Sequence, residues 1–168
     1  LRAQGGASVD LGIAPDDPDA IAAKLRIAMD GGADVLVTTG GASVGDHDYV
    51  QDVLTSLGVE IGFWKIAMRP GKPLMFGRCG GKIFIGLPGN PVSALVCARV
   101  FLVPLVRALL GLDAAETYED AILGADLPAN DQRQDYLRAT LARENGKLVA
   151  TPFSRQDSSM LATLGQSD

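Results

Sequence analysis

A continuous apolar run, ADVLVTT at 33–39, lies between one glycine pair, Gly31-Gly32, and another, Gly40-Gly41. No other feature constrains the fold as strongly. A strand that is apolar on both faces is stable only where helices cover both sides of its sheet. The flanking segments agree. Asp16-Asp17-Pro18 is a helix start, with acids at the positive end of the dipole and proline in the first turn. Ile21, Leu25 and Ala28 fall at i, i+4 and i+7, which predicts a helix of roughly 13 residues ending at Gly31-Gly32. Residues 7–13 (ASVDLGI) read as a short strand before it.

Beyond the run, 40–45 is a loop, 48–57 a helix stopped by Gly58, and 59–68 another strand. RPGKP at 69–73 is a rigid turn, and LMFGRC and KIFIGL flank the hairpin signal Gly80-Gly81. LPGNP at 87–91 opens a long apolar helix. Its charges and Pro104 mark it as a buried helix rather than a membrane span. Strand–helix–strand order predicts an α/β domain of three layers with a mostly parallel sheet. After Gly111 the chain turns acidic, then partly alternating around RQDYLRATLAR, ENGK and KLVATPF. That reads as a small β domain, so the expected domains are 1–111 and 112–168.

Composition narrows the chemistry. A net charge of −5 argues against nucleic acid as the main ligand, although a local basic loop can still hold a small anion. Cys79 and Cys97 are far apart, which disfavours a metal pair and fits a reduced, cytoplasmic setting. With His47 the single histidine, a His-rich zinc site is excluded. The abrupt ends lead us to expect a fragment of a longer protein.

Four loops carry candidate chemistry. TTGGASVGDHDY (38–49) follows the buried strand and opens a helix, the place where doubly wound sheets bind ligands. Gly40 and Gly41 allow close approach of an anion, Thr39 and Ser43 add hydroxyls, and Asp46 and Asp48 add carboxylates that a Mg²⁺ ion would have to bridge to a phosphate. The same residues serve equally as a turn and a cap. Asp16, after the first strand, is a candidate second metal ligand, although a lone acid at a helix start is more often only a cap. WKIAMRPGKP (64–73) places Lys65, Arg69 and Lys72 on a proline-stiffened turn, suited to an oxyanion or simply solvated. GLPGNPVS (86–93) sets Ser93 in the first turn of a helix, an anion cradle or a plain strand-to-helix turn. Trp64, Met29, Phe101 and Cys97 read as packing, and His47 as exposed beside its loop.

Together TTGGASVGDHDY, KIAMRPGKP and GLPGNPVSALV, with LGIAPDDP before them, resemble the molybdopterin molybdotransferases (the MoeA type and the C-terminal domain of gephyrin). The resemblance spans essentially the whole chain, most strongly 11–111. It implies a MogA-like molybdopterin-binding α/β domain followed by a small, truncated β-barrel-like domain. Two upstream domains, the first strand and helix of the α/β domain and the last strands of the β domain are expected to be missing. The implied activity is insertion of molybdate into adenylylated molybdopterin with hydrolysis and release of AMP. The implied catalytic and metal residues are Asp16 and Asp48, with Mg²⁺. Gly40, Gly41 and Ser43 are implied as nucleotide contacts, and Lys65, Arg69 and Lys72 as the cationic turn facing molybdate and pterin. Arg138 and Ser158 are implied as oxyanion ligands. Arg69 stands where many relatives carry lysine, which keeps the charge and changes the geometry. A homodimer is implied, with the pterin adenylyltransferase and molybdoenzyme chaperones as partners, and neither nucleic acid nor membrane. The other readings are a non-catalytic molybdopterin-binding or scaffold module and a competence-damage-type nucleotide-processing enzyme.

Overall fold

The computed structural model describes residues 1–41 and 49–168 of the chain. Ser43, Asp46, His47 and Asp48 lie outside the described residues.

The first helix, α1 (Pro18–Asp30), starts where its sequence says it should. Asp17 is its N-cap, accepting the Ala20 N–H at 2.8 Å, and Pro18 is preorganised for the first turn. The strand expected over 7–13 does not form. Gly12 adopts φ +67° and donates to the Asp10 carboxylate at 2.8 Å, a local turn that competes with extension. No described strand pairs with this segment, so Val9 and Ile13 stay 84% and 95% exposed.

The central sheet has the order β1 (Val35–Thr39), β5 (Lys82–Leu87), β4 (Met75–Cys79), β2 (Glu60–Trp64). It is mixed, which corrects the expectation of a mostly parallel sheet. Only β1 and β5 run parallel, while β4 with β5 and β2 with β4 are antiparallel. The cause is local. Gly80 and Gly81, at φ +54° and +82°, close a two-residue hairpin, and 65–74 is too short to carry a crossover.

The three layers are present. On one face, Ile21, Ala22 and Leu25 of α1 and Val53 and Leu54 of α2 (Tyr49–Ser56) pack on Leu36, Val59, Met75 and Phe84. On the other, Cys97 and Leu102 pack with Met68, Leu74, Ile85 and Leu87. Phe84 and Ile85 are consecutive residues of β5 yet belong to different cores, because side chains alternate across a strand. Each fully buried side chain of this size, such as Leu54 or Phe84, contributes roughly 1.5–3 kcal/mol.

The long apolar segment forms α3 (Pro91–Cys97), a π turn (Ala98–Leu102) and α4 (Val103–Leu109). The π turn comes just before Pro104, which has no N–H to donate and would clash with a regular preceding turn. This helix was expected to be buried. Its buried residues are Val92, Ser93, Cys97 and Leu102, one face only, with Leu95 52% exposed. By length and composition alone it could cross a membrane.

After 111 come three short elements and a hairpin. β6 (Ile122–Leu123), β9 (Lys147–Pro152) and β8 (Ala139–Glu144) form a three-stranded sheet with the Asn145-Gly146 turn at its tip. Among the described residues it is an open sheet, not a closed barrel, because β8 and β6 are both edges. α5 (Leu161–Gly165) follows. The small domain is sewn to the first by β3 (Met68–Arg69), which pairs in parallel with β7 (Gln134–Asp135).

Candidate functional site

Two strand-end loops meet at the carboxyl ends of β1 and β5. Gly40, at φ +83°, donates its N–H to the Leu87 carbonyl at 3.0 Å. A Cβ on Gly89 would stand 3.3 Å from the Gly40 Cα, a tight approach, while Gly40 is favoured by its positive φ. Gly41 follows at φ +67°. Thr38 Oγ1 and Asn90 Oδ1 are buried beside these turns without a hydrogen-bond partner among the described residues. Buried polar atoms of this kind are rare, which makes the two atoms candidates for contact with a ligand. The sequence reading missed both. Period two along β1 was the available signal for Thr38, which shares a face with buried Leu36.

The helix start at Pro91 is partly occupied. The Val92 N–H, one of the free donors of a first turn, is taken by the Ser158 carbonyl at 3.2 Å. Ser93 is buried at 6% exposure. The small domain therefore brings Ser158 to the LPGNPVS loop, two positions far apart in the chain.

Arg138 is the most unusual charge in the protein. It is 3% exposed and makes no ion pair among the described residues. Nη2 donates to the Asp157 carbonyl at 3.2 Å, while Nε and Nη1 have no partner among the described residues. Burial pulls its pKa below the ordinary arginine range, against the raising effect of Asp157's charge. Asp157 is held below the usual carboxylate range by the Ser159 hydroxyl and N–H and by Arg138.

The basic turn is rigid. Lys65 N–H donates to the Leu74 carbonyl at 3.1 Å and Ile66 N–H to the Lys72 carbonyl at 2.9 Å. The Arg69–Pro70 bond is cis. Lys65 holds φ +73°, uncommon for a residue with a side chain, and its ammonium sits 4.2 Å from the Trp64 ring centroid. Trp64 thus supports a cation rather than only packing beneath the turn. Arg69 is engaged with Asp135 of β7 and with Asn130. Lys72 is exposed.

Contacts thus link Gly40 to the Leu87–Gly89 turn, that turn to Ser93 and Ser158, and Ser158 through Asp157 to Arg138. β7, just before Arg138, joins Arg69. Asp16 is exposed and makes no hydrogen bond or ion pair with any of them among the described residues. It caps nothing either, since Asp17 does that. Asp135 and Gln156, which hold the two arginines, were not singled out from sequence.

Residues 1–108 match the family described as a probable molybdopterin binding domain, and residues 120–168 match the MoeA C-terminal region (domain IV). A molybdopterin molybdenumtransferase of Nostoc sp. is 35% identical over 153 residues, covering 87% of this chain and 34% of its own length. One from Bacillus subtilis is 32% identical over 165 residues, covering 98% and 38%. Among solved structures, a molybdopterin biosynthesis moea protein from Pyrococcus horikosii superposes with TM-score 0.77 at 28% identity, covering 99% of this chain and 39% of its own. The chain therefore spans little more than a third of the length of these relatives.

Proposed function

Because this chain belongs to the MoeA-type molybdopterin molybdotransferases, we propose that it binds molybdate and adenylylated molybdopterin and serves molybdate insertion in molybdenum cofactor biosynthesis. Arg138 carries the reading. A guanidinium at 3% exposure, with Nε and Nη1 unpartnered, is costly unless an anion joins it. A tetrahedral dianion such as molybdate offers the acceptors that this fork lacks.

The chemistry asks for positioning and charge neutralisation. Two Mo–S bonds form as the two dithiolene thiols give their protons to one molybdate oxo group, which leaves as water, and a second water cleaves the phosphoanhydride to release AMP. Arg138, Ser158 and the cations Lys65, Arg69 and Lys72 would hold the oxyanion, with no protein nucleophile. Gly40, Gly41, Ser43 and Ser93 would lie along the pterin nucleotide, where unpartnered Thr38 Oγ1 and Asn90 Oδ1 supply further polar groups.

Asp16 and Asp48 would hold Mg²⁺, which when bound neutralises charge on the phosphates. Among the described residues no group of three acidic or soft ligands gathers. A division near residue 111, a cytoplasmic homodimer, and contact with the pterin adenylyltransferase and molybdoenzyme chaperones complete the reading.

Titration calorimetry of molybdate into this chain and into Arg138→Ala tests it. Binding by the parent that weakens about tenfold or more in the variant supports the site. Equal binding by both removes Arg138 from it. Adenylylated molybdopterin bound by the longer protein without AMP release would favour the scaffold reading.

A further inference from the structure

Arg138 cannot keep its place unaided. A buried guanidinium that makes no ion pair among the described residues gains solvation by leaving its site, so something must hold it there. The main chain at Arg138 is held by one side chain from 18 residues away. The Gln156 amide oxygen accepts the Arg138 N–H at 3.0 Å, and its Nε2 donates to the Arg138 carbonyl at 2.8 Å. The same Nε2 donates to the Phe153 carbonyl at 2.9 Å, and the Phe153 N–H reaches the Arg138 carbonyl at 3.0 Å. One half-buried amide therefore satisfies both main-chain groups of a single residue and closes the turn that leads back to it.

The next residues continue the arrangement. The Asp157 carbonyl takes Arg138 Nη2 at 3.2 Å, and the Ser158 carbonyl takes the Val92 N–H. A shift of Gln156 would move Arg138, Ser158 and the cap of α3 together. Nη2 is thereby tied while Nε and Nη1 are left unpartnered.

We propose that Gln156 is the positioning residue of the oxyanion site. It locks the backbone at Arg138 so that the guanidinium is ordered before the anion arrives and little entropy is lost on binding. The inference rests on the reading of Arg138 as an oxyanion ligand. Glutamine is suited to the task because its amide both donates and accepts and adds no charge to compete with the anion.

The test is molybdate affinity, by calorimetry on the full chain, for Gln156→Met in the parent and in an Arg138→Lys background. Methionine keeps the length and removes all three hydrogen bonds. If Gln156 acts through the fixed arginine fork, Gln156→Met weakens molybdate binding about tenfold in the parent. With the flexible lysine stem it weakens binding less than about twofold, the non-additivity expected of coupled residues. A residue that only closes a turn would lower the melting temperature and leave the affinity unchanged well below it. Unchanged affinity, or an equal loss in both backgrounds, overturns the proposal. Should Gln156→Met fail to melt cooperatively, Gln156→Asn takes its place, with the same amide one methylene short of its partners and the same expected losses. If the parent chain itself takes no molybdate, the reading of Arg138 falls and this inference with it. A parent that binds and a variant that binds equally well sink only the role of Gln156.

Discussion

Arg69 of the basic turn and Asp135 of β7 form an ion pair beside the parallel pairing of β3 with β7. The side-chain contact and the main-chain bridge act on the same residues, since the Tyr136 N–H also donates to the Arg69 carbonyl at 2.8 Å. The cation that sequence assigns to an oxyanion is thus held by a carboxylate of the small domain.

The pair is half open to solvent on the arginine side, so its coupling is modest. A double-mutant cycle of Arg69→Ala and Asp135→Ala in urea should give roughly 0.5–1 kcal/mol. The net cost of Asp135→Ala should be smaller still, because Asp135 Oδ1 is buried without a donor and the substitution removes that burden. The coupling should shrink in 1 M salt, roughly a 3 Å screening length. A coupling near zero would mean that the main-chain bridge alone joins the domains.

Gly71→Ala should be among the most damaging single changes in the turn. Gly71 adopts φ +116°, and a Cβ there would collide with Cys97 Sγ and crowd Met68. Backbone strain and overpacking together should cost about 2–4 kcal/mol, read as a lower urea midpoint at unchanged slope. A loss under about 0.5 kcal/mol would show that the turn yields freely.

Cys97 should be inert while the protein is folded. It is fully buried, its thiol lies 3.7 Å from the Gly71 carbonyl, and burial pushes its pKa from 9.0 up to about 12. Maleimide or iodoacetamide near neutral pH should label half-buried Cys79 first and reach Cys97 only on unfolding. The folded state favours the neutral thiol, so this contribution to stability is intact below pH 9.0 and lost as pH rises towards about 12. Rapid labelling of Cys97 in the native protein would contradict that burial.

Asp17→Ala should cost about 1 kcal/mol by removing the cap of α1, whereas Asp16→Ala should leave stability within about 0.5 kcal/mol. Only Asp17 accepts the Ala20 N–H. Thermal melts of the two variants separate the roles, and equal losses would show that the acids share the cap.

The first of these acids also marks where local reading stops. Helix α1, the two glycine pairs and the Gly80-Gly81 hairpin were legible, because capping, positive φ and side-chain period act over a few residues. The strand expected at 7–13 was not formed, since extension is stable only with a partner and none of the described strands pairs there. The mixed sheet follows from turn lengths that were visible but were outweighed by the strand–helix alternation.

By itself the sequence determined the family and the two kinds of domain, because the glycines, prolines and charges of its loops act where they stand. Only the tertiary structure decided what those loops do to one another. It tied Arg69 to Asp135, covered the helix start at Val92 with Ser158, and buried Arg138 under the grip of Gln156 with Nε and Nη1 unpartnered among the described residues. Those relations join residues 18 to 66 positions apart. Burial, orphaned donors and counter-ions are properties of neighbours in space, and no spacing along the chain encodes them.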